Sequence, residues 1–163
     1  MQYAKDSFYV AMRDRLAALD PSRTVVIAGR IRPAVLVEEN EPADSASRLP
    51  NAFYLAWGPM DCVREMAGHS LMKLECRISY DADGAQPAVV DRGRALTALD
   101  CELLRLLLPP RTPKCDQSHT PVVDLGSVVC WTMPQFGEPK QTNDGLHRTV
   151  DLSVFFFSEE DAS

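Results

Sequence analysis

Between Met72 and Tyr80 the chain alternates without a break. Met72, Leu74, Cys76, Ile78 and Tyr80 are apolar or aromatic, and Lys73, Glu75, Arg77 and Ser79 are polar. A period of two is the signature of a β-strand with one buried and one wet face, because successive side chains point to opposite sides of a sheet. Such a strand commits the rest of the chain to supplying an apolar layer for its dry face. The segment from Asp91 to Leu108 supplies one: Leu96, Leu99, Leu103 and Leu106 recur at helical spacing, and Pro109 and Pro110 stop the helix they define.

The other elements follow from the same two periods. Phe8, Met12, Leu16 and Leu19 share one face of a helix predicted over Ser7–Leu19, with Asp6 or Ser7 capping its start and Asp20–Pro21 ending it. The β-branched runs Thr24–Ala28 and Ala34–Glu38 read as a hairpin with a long turn, Gly29–Pro33. Glu39–Pro50 is polar and acidic and reads as an exposed loop. Asn51–Trp57 is a third strand, with Phe53, Leu55 and Trp57 on one face, ending at Gly58–Pro59. After the Pro109–Gly126 loop come strands Val128–Met133 and Thr149–Phe157, separated by the loop Pro134–Leu146. Helix, four strands, helix, two strands is the order of an α+β domain: a mainly antiparallel sheet of about six strands with two helices packed on one face. At 163 residues the chain is long enough to bury a core of its own as a single domain.

Composition narrows the function classes. A net charge of −6 argues against capture of nucleic acid or anionic membrane over the whole surface. No apolar run spans a bilayer, and the first residues lack the apolar stretch of a secretion signal, so the expected location is the cytoplasm. The odd, scattered set Cys62, Cys76, Cys101, Cys115 and Cys130 does not read as a disulfide framework.

Reactive constellations are thin. Cys115 and His119, with Asp116 between them and Cys130 and His147 elsewhere, are half a metal site. The second short-spaced pair that marks structural zinc is missing, so no metal is expected. A Cys/His nucleophile built from Cys115 or Cys62 with His69, His119 or His147 would need a contact that spacing does not supply. Glu38, Glu39, Glu41 and Asp44 lack the glycine-centred oxygen pattern of a calcium loop. Asp91, Arg92, Gly93 and Arg94 could open a helix onto an anion, but Asp91 as an N-cap accounts for them more simply. No catalytic residue, cofactor or metal is assigned, and an enzyme is not expected. Phe155 and Phe157 are the exception to this quiet surface. With Phe156 buried on the helix side, both neighbours face the other way, under either the Pro109–Gly126 loop or another subunit.

The order of elements resembles the tail terminator family of long-tailed bacteriophages, including the lambda-like minor tail proteins. The resemblance runs over nearly the whole chain: helix Phe8–Leu19, strands Thr24–Glu38 and Met72–Tyr80 with Ile78 and Tyr80 at the strand end, the helix opening at Asp91-Arg92-Gly93-Arg94, and the closing strand Thr149–Phe157. Pro109–Gly126 is longer than that pattern requires. The resemblance implies a subunit, made in the host cytoplasm and incorporated in the virion tail, that forms a homo-oligomeric ring, commonly a hexamer. Such a ring caps the tail tube and joins it to the head connector, so its partners would be itself, the tail tube protein and the head connector protein, with no nucleic acid and no membrane. The two long loops would make the contacts, through Glu39, Glu41, Asp44, Gln135, Asn143 and Asp144, together with Phe155 and Phe157. Another phage neck or head-tail joining protein, a small Cys/His enzyme and a ligand-binding module are the alternatives.

Overall fold

The computed structural model describes residues 1–40, 48–65, 68–83, 89–143 and 145–158. Helix α1 spans Gln2–Leu19 and buries Phe8, Met12 and Leu16 completely, as the helical spacing predicts. It starts earlier than the capping residues suggest. Ser7 lies inside the helix, where its hydroxyl donates to the Tyr3 carbonyl at 2.6 Å and accepts the Cys115 N–H at 2.9 Å, and neither it nor Asp6 is the cap. Leu19 is largely exposed instead of closing the apolar stripe.

Strands β1 (Thr24–Ile27) and β2 (Arg30–Pro33) form a ribbon of their own, joined by Ala28 and Gly29. The expected hairpin of Thr24–Ala28 with Ala34–Glu38 therefore does not form. Both loop residues have positive φ, 48° and 75°, as a type I′ turn requires, and such a two-residue turn matches the twist of the strands it joins. Strand β3 (Val35–Val37) leaves the ribbon and pairs in parallel with β4 (Phe53–Arg64).

Strand β4 runs on through Gly58 and Pro59, where the sequence suggests a stop. It carries one extra residue between Trp57 and Met60 and another between Cys62 and Arg64 relative to its partner β5 (Leu71–Asp83). A bulge takes a residue out of the ladder, which is what a proline without an N–H needs. Helix α2 (Val89–Leu106) follows, with Leu96, Leu99, Leu103 and Leu106 all buried.

The Pro109–Gly126 segment is not a loop. Its first part is strand β6 (Arg111–Asp116), paired antiparallel with β7 (Val123–Trp131). Two short strands, β8 (Gln135–Phe136) and β9 (Lys140–Gln141), lie within the expected Pro134–Leu146 loop, and the closing strand β10 runs Gly145–Phe157. Thirteen residues of β10 pair with thirteen of β5, and β7, β8 and β9 succeed one another along its other edge. The main sheet therefore reads β3-β4-β5-β10-β7-β6, eight strands with β8 and β9, and the architecture is α+β and mostly antiparallel.

The sheet is curled. Trp57 on β4 and Trp131 on β7 are three strands apart, roughly 14 Å in a flat sheet. Both nevertheless meet the Phe8 ring edge-on, at 5.7 and 5.0 Å. Helix α1 packs against β3 at one side of the sheet and β6 at the other, and α2 packs on β5 and β10. Arg15 ties the layers together by donating to the carbonyls of Leu106 (2.8 Å), Pro109 (3.0 Å) and Arg111 (2.8 Å), which satisfies acceptors at the α2 end. Its guanidinium also lies over Trp131, and burial lowers its pKa. No helix of the described residues is long and apolar enough to cross a membrane.

Candidate interaction surface

The alternation of β5 and β10 gives the sheet a second face, turned away from the helices. On it Arg77 and Asp151, directly opposed in the ladder, form an ion pair at 2.8 Å, which raises the Arg77 pKa. Lys73 donates to Glu75, and Ser153 donates to it as well (3.0 Å). The Lys73 hydrogen bond is the main reason that the Glu75 carboxyl is held below the ordinary carboxylate value. Arg48 crosses the same face over the Tyr54 ring, donating to Ser79 (2.6 Å) and to Glu38. At the β4 bulge this face dips into a depression of about 360 Å³, lined by Trp57, Gly58, Pro59, Glu75, Arg77 and Asp151 among others.

Phe155 and Phe157 lie here, on the side opposite buried Phe156, as the alternation requires. Both are half-buried. The Pro109–Gly126 segment does not fold over them, because β6 and β7 extend the same sheet. Instead His69, from the turn between β4 and β5, meets the Phe157 ring edge-on at 5.3 Å, and Lys114 donates to the Phe157 carbonyl at 2.9 Å.

The expected loop contacts scatter. Glu39 is exposed and paired with Lys5 at 2.9 Å. Gln135 is exposed in β8, in register with Asp151, and Asn143 is exposed just before β10. Glu41, Asp44 and Asp144 lie outside the described residues. Nothing brings Glu39, Gln135, Asn143 and the two phenylalanines onto one patch by a contact between them.

The reactive candidates are occupied locally. In the β6–β7 turn, Asp116 accepts the Ser118 N–H (2.8 Å) and hydroxyl (2.6 Å), which holds its carboxyl below the usual value. His119 Nδ1 lies 3.0 Å from the other Asp116 oxygen and 3.2 Å from Ser118 Oγ. A catalytic serine and carboxylate engage opposite ring nitrogens, whereas here both engage Nδ1, so the three residues form a turn and not a relay. Burial raises the Cys115 pKa, away from a thiolate. His147 Nδ1 is held by Asp81 across the β5–β10 ladder at 2.9 Å. Asp91 sits within the first turn of α2, which begins at Val89, so it is not the N-cap the sequence suggests. Among the described residues no three Cys, His, Asp or Glu side chains converge as metal ligands.

The most exposed apolar side chains were not among the sequence candidates. Val26 is 62% and Ile31 73% exposed, and they face each other across the β1–β2 ribbon. Met60 and Val63 are exposed on the far end of β4, and Val122, Val123, Leu125 and Val128 on the β6–β7 hairpin. The signal for the first pair was present in Val25-Val26-Ile27-Ala28-Gly29-Arg30-Ile31-Arg32, which alternates on both sides of Ala28-Gly29. Ala-Gly is a weaker turn mark than Asn-Gly, and the run reads equally well as two interior strands. Compared with known proteins, the chain matches no protein-family model and no curated protein sequence.

Proposed function

We propose that this protein is a structural subunit of a phage or prophage tail, a tail-terminator-like protein that assembles with copies of itself, caps the tail tube and joins it to the head connector. One observation carries this reading most: three separate hairpins, β1–β2, β4–β5 and β6–β7, present exposed apolar side chains away from the core. Aliphatic side chains clustered on protruding strands are what a protein partner buries, since isolated exposed apolar residues are common but clustered ones mark contact surfaces. The element order that resembles tail terminators supports the same reading. In it the protein performs no catalytic step; it is made in the host cytoplasm and ends in the virion.

The direct test is to add the purified chain to polymerising tail tube protein encoded beside it and to follow tube length by electron microscopy. Capped, shortened tubes with the chain cosedimenting at their ends are the expected result. Tubes that grow to the same length, with the chain left in the supernatant, would overturn the assignment.

A further inference from the structure

Among the described residues the β1–β2 ribbon pairs with no other strand. Its inward side is accounted for: Val25 is buried and Ile27 packs against the core. Its outward side carries Thr24 opposite Pro33 and Val26 opposite Ile31. In a two-residue hairpin the residues flanking the turn, Ile27 and Arg30, are the hydrogen-bonded pair. Val26 and Ile31 are then the next, non-hydrogen-bonded pair, with side chains close together and main-chain groups turned outward. The ribbon thus offers an aliphatic face and two open edges, features that proteins elsewhere cover or blunt with charge.

Charge says what covers it. Residues Pro21 to Val37 contain three arginines, Arg23, Arg30 and Arg32, and no acid, which leaves fourteen basic and twenty-three acidic residues to all other positions. Arg23 is paired with Glu102 at 3.1 Å, and Arg30 is exposed beside the aliphatic pair. A basic ribbon on an otherwise acidic chain is complementary to the remainder of another copy. Ribbon against ribbon would place like charges together, so the contact is head to tail, the kind that closes into a ring.

We propose that the β1–β2 ribbon is the arm by which one copy of this chain grips the next, with Val26 and Ile31 buried against the neighbour and Arg30 facing its acidic surface. The proposal rests on the self-assembly part of the reading above, not on the tail tube. Sedimentation velocity of the full chain over a wide concentration range tests it, with Ile31→Thr and Arg30→Glu beside the wild type. Both substitutions sit at exposed strand positions, and far-UV circular dichroism with thermal melting checks that the fold survives.

The wild type is expected to associate, and each variant to associate roughly tenfold more weakly, as for substitutions at the centre of an interface. Salt should weaken the wild type more than Arg30→Glu, since only the former has an attractive charge contact to screen. Undiminished association of both variants would overturn the arm while leaving ring assembly intact. A wild type that stays monomeric throughout would overturn both.

Discussion

The β5–β10 ladder and the β1–β2 ribbon are both antiparallel pairs with alternating side chains, and they behave as opposites. In the ladder one side of the alternation, Leu74, Cys76, Ile78 and Tyr80 against Val150, Leu152, Val154 and Phe156, is buried under helices, and the other is wet and ion-paired. In the ribbon the aliphatic residues of the outer face have no helix above them. A ribbon of four residue pairs contributes little stability alone, since a two-stranded hairpin is marginal in water. Alternation therefore says that a face will be covered, and the location of the strand says by what: the chain's own helix in the ladder, another molecule in the proposal for the ribbon.

Three measurements press on that contrast. The largest effect belongs to the layer beneath the ladder. Phe8→Ala removes a fully buried ring wedged between Trp57 and Trp131 and should cost about 3–5 kcal/mol in urea denaturation, as buried Phe truncations do. A loss below about 1 kcal/mol, the level of a half-exposed site, would mean that the curl of the sheet does not depend on this ring.

Gly29→Ala tests the ribbon. At φ of 75° a Cβ is strained although nothing lies near enough to clash, so the cost is about 1–2 kcal/mol, the penalty of a left-handed residue. It should appear as faster hydrogen exchange confined to the ribbon amides, because a peripheral hairpin opens without the rest. Equal loss of protection in β5 and β10 would show that ribbon and ladder are one cooperative unit.

The smallest effect concerns acid. Lys73 holds the folded Glu75 carboxyl below the value it has in the unfolded chain. The native state therefore takes up that proton less readily, and the stabilisation is present above the ordinary carboxylate pKa and lost as the pH falls through the range beneath it. Glu75→Gln should flatten the acid side of the stability profile there. An unchanged profile would show the pair to be a solvated contact without weight.

The fold was legible where one period acted alone. Met72–Tyr80 and the leucine stripe of α2 are each a single amphipathic pattern, and both fold as the pattern says. It was illegible where burial falls on residues that look polar. Strand β6 contains Pro113, Lys114 and Asp116, yet Lys114 is buried: its aliphatic stem lies in the protein and its ammonium reaches the Phe157 carbonyl. The β4 bulge hid in the same way behind Gly58-Pro59, a pair that ordinarily marks a strand end. Of the candidate surface, the outward direction of Phe155 and Phe157 followed from parity alone. Val26 and Ile31 escaped because composition cannot distinguish an aliphatic pair that meets its own helix from one that does not.

Strand β10 comes after every other strand in the chain and yet lies in the middle of the sheet, between β5 and β7. On the ribosome, β5 and β7 emerge with their facing edges bare and wait for the segment that joins them. Until residues 145–157 clear the exit tunnel the two halves have no seam, and a nascent chain halted before that point displays exactly the sticky strand borders that chaperones recognise.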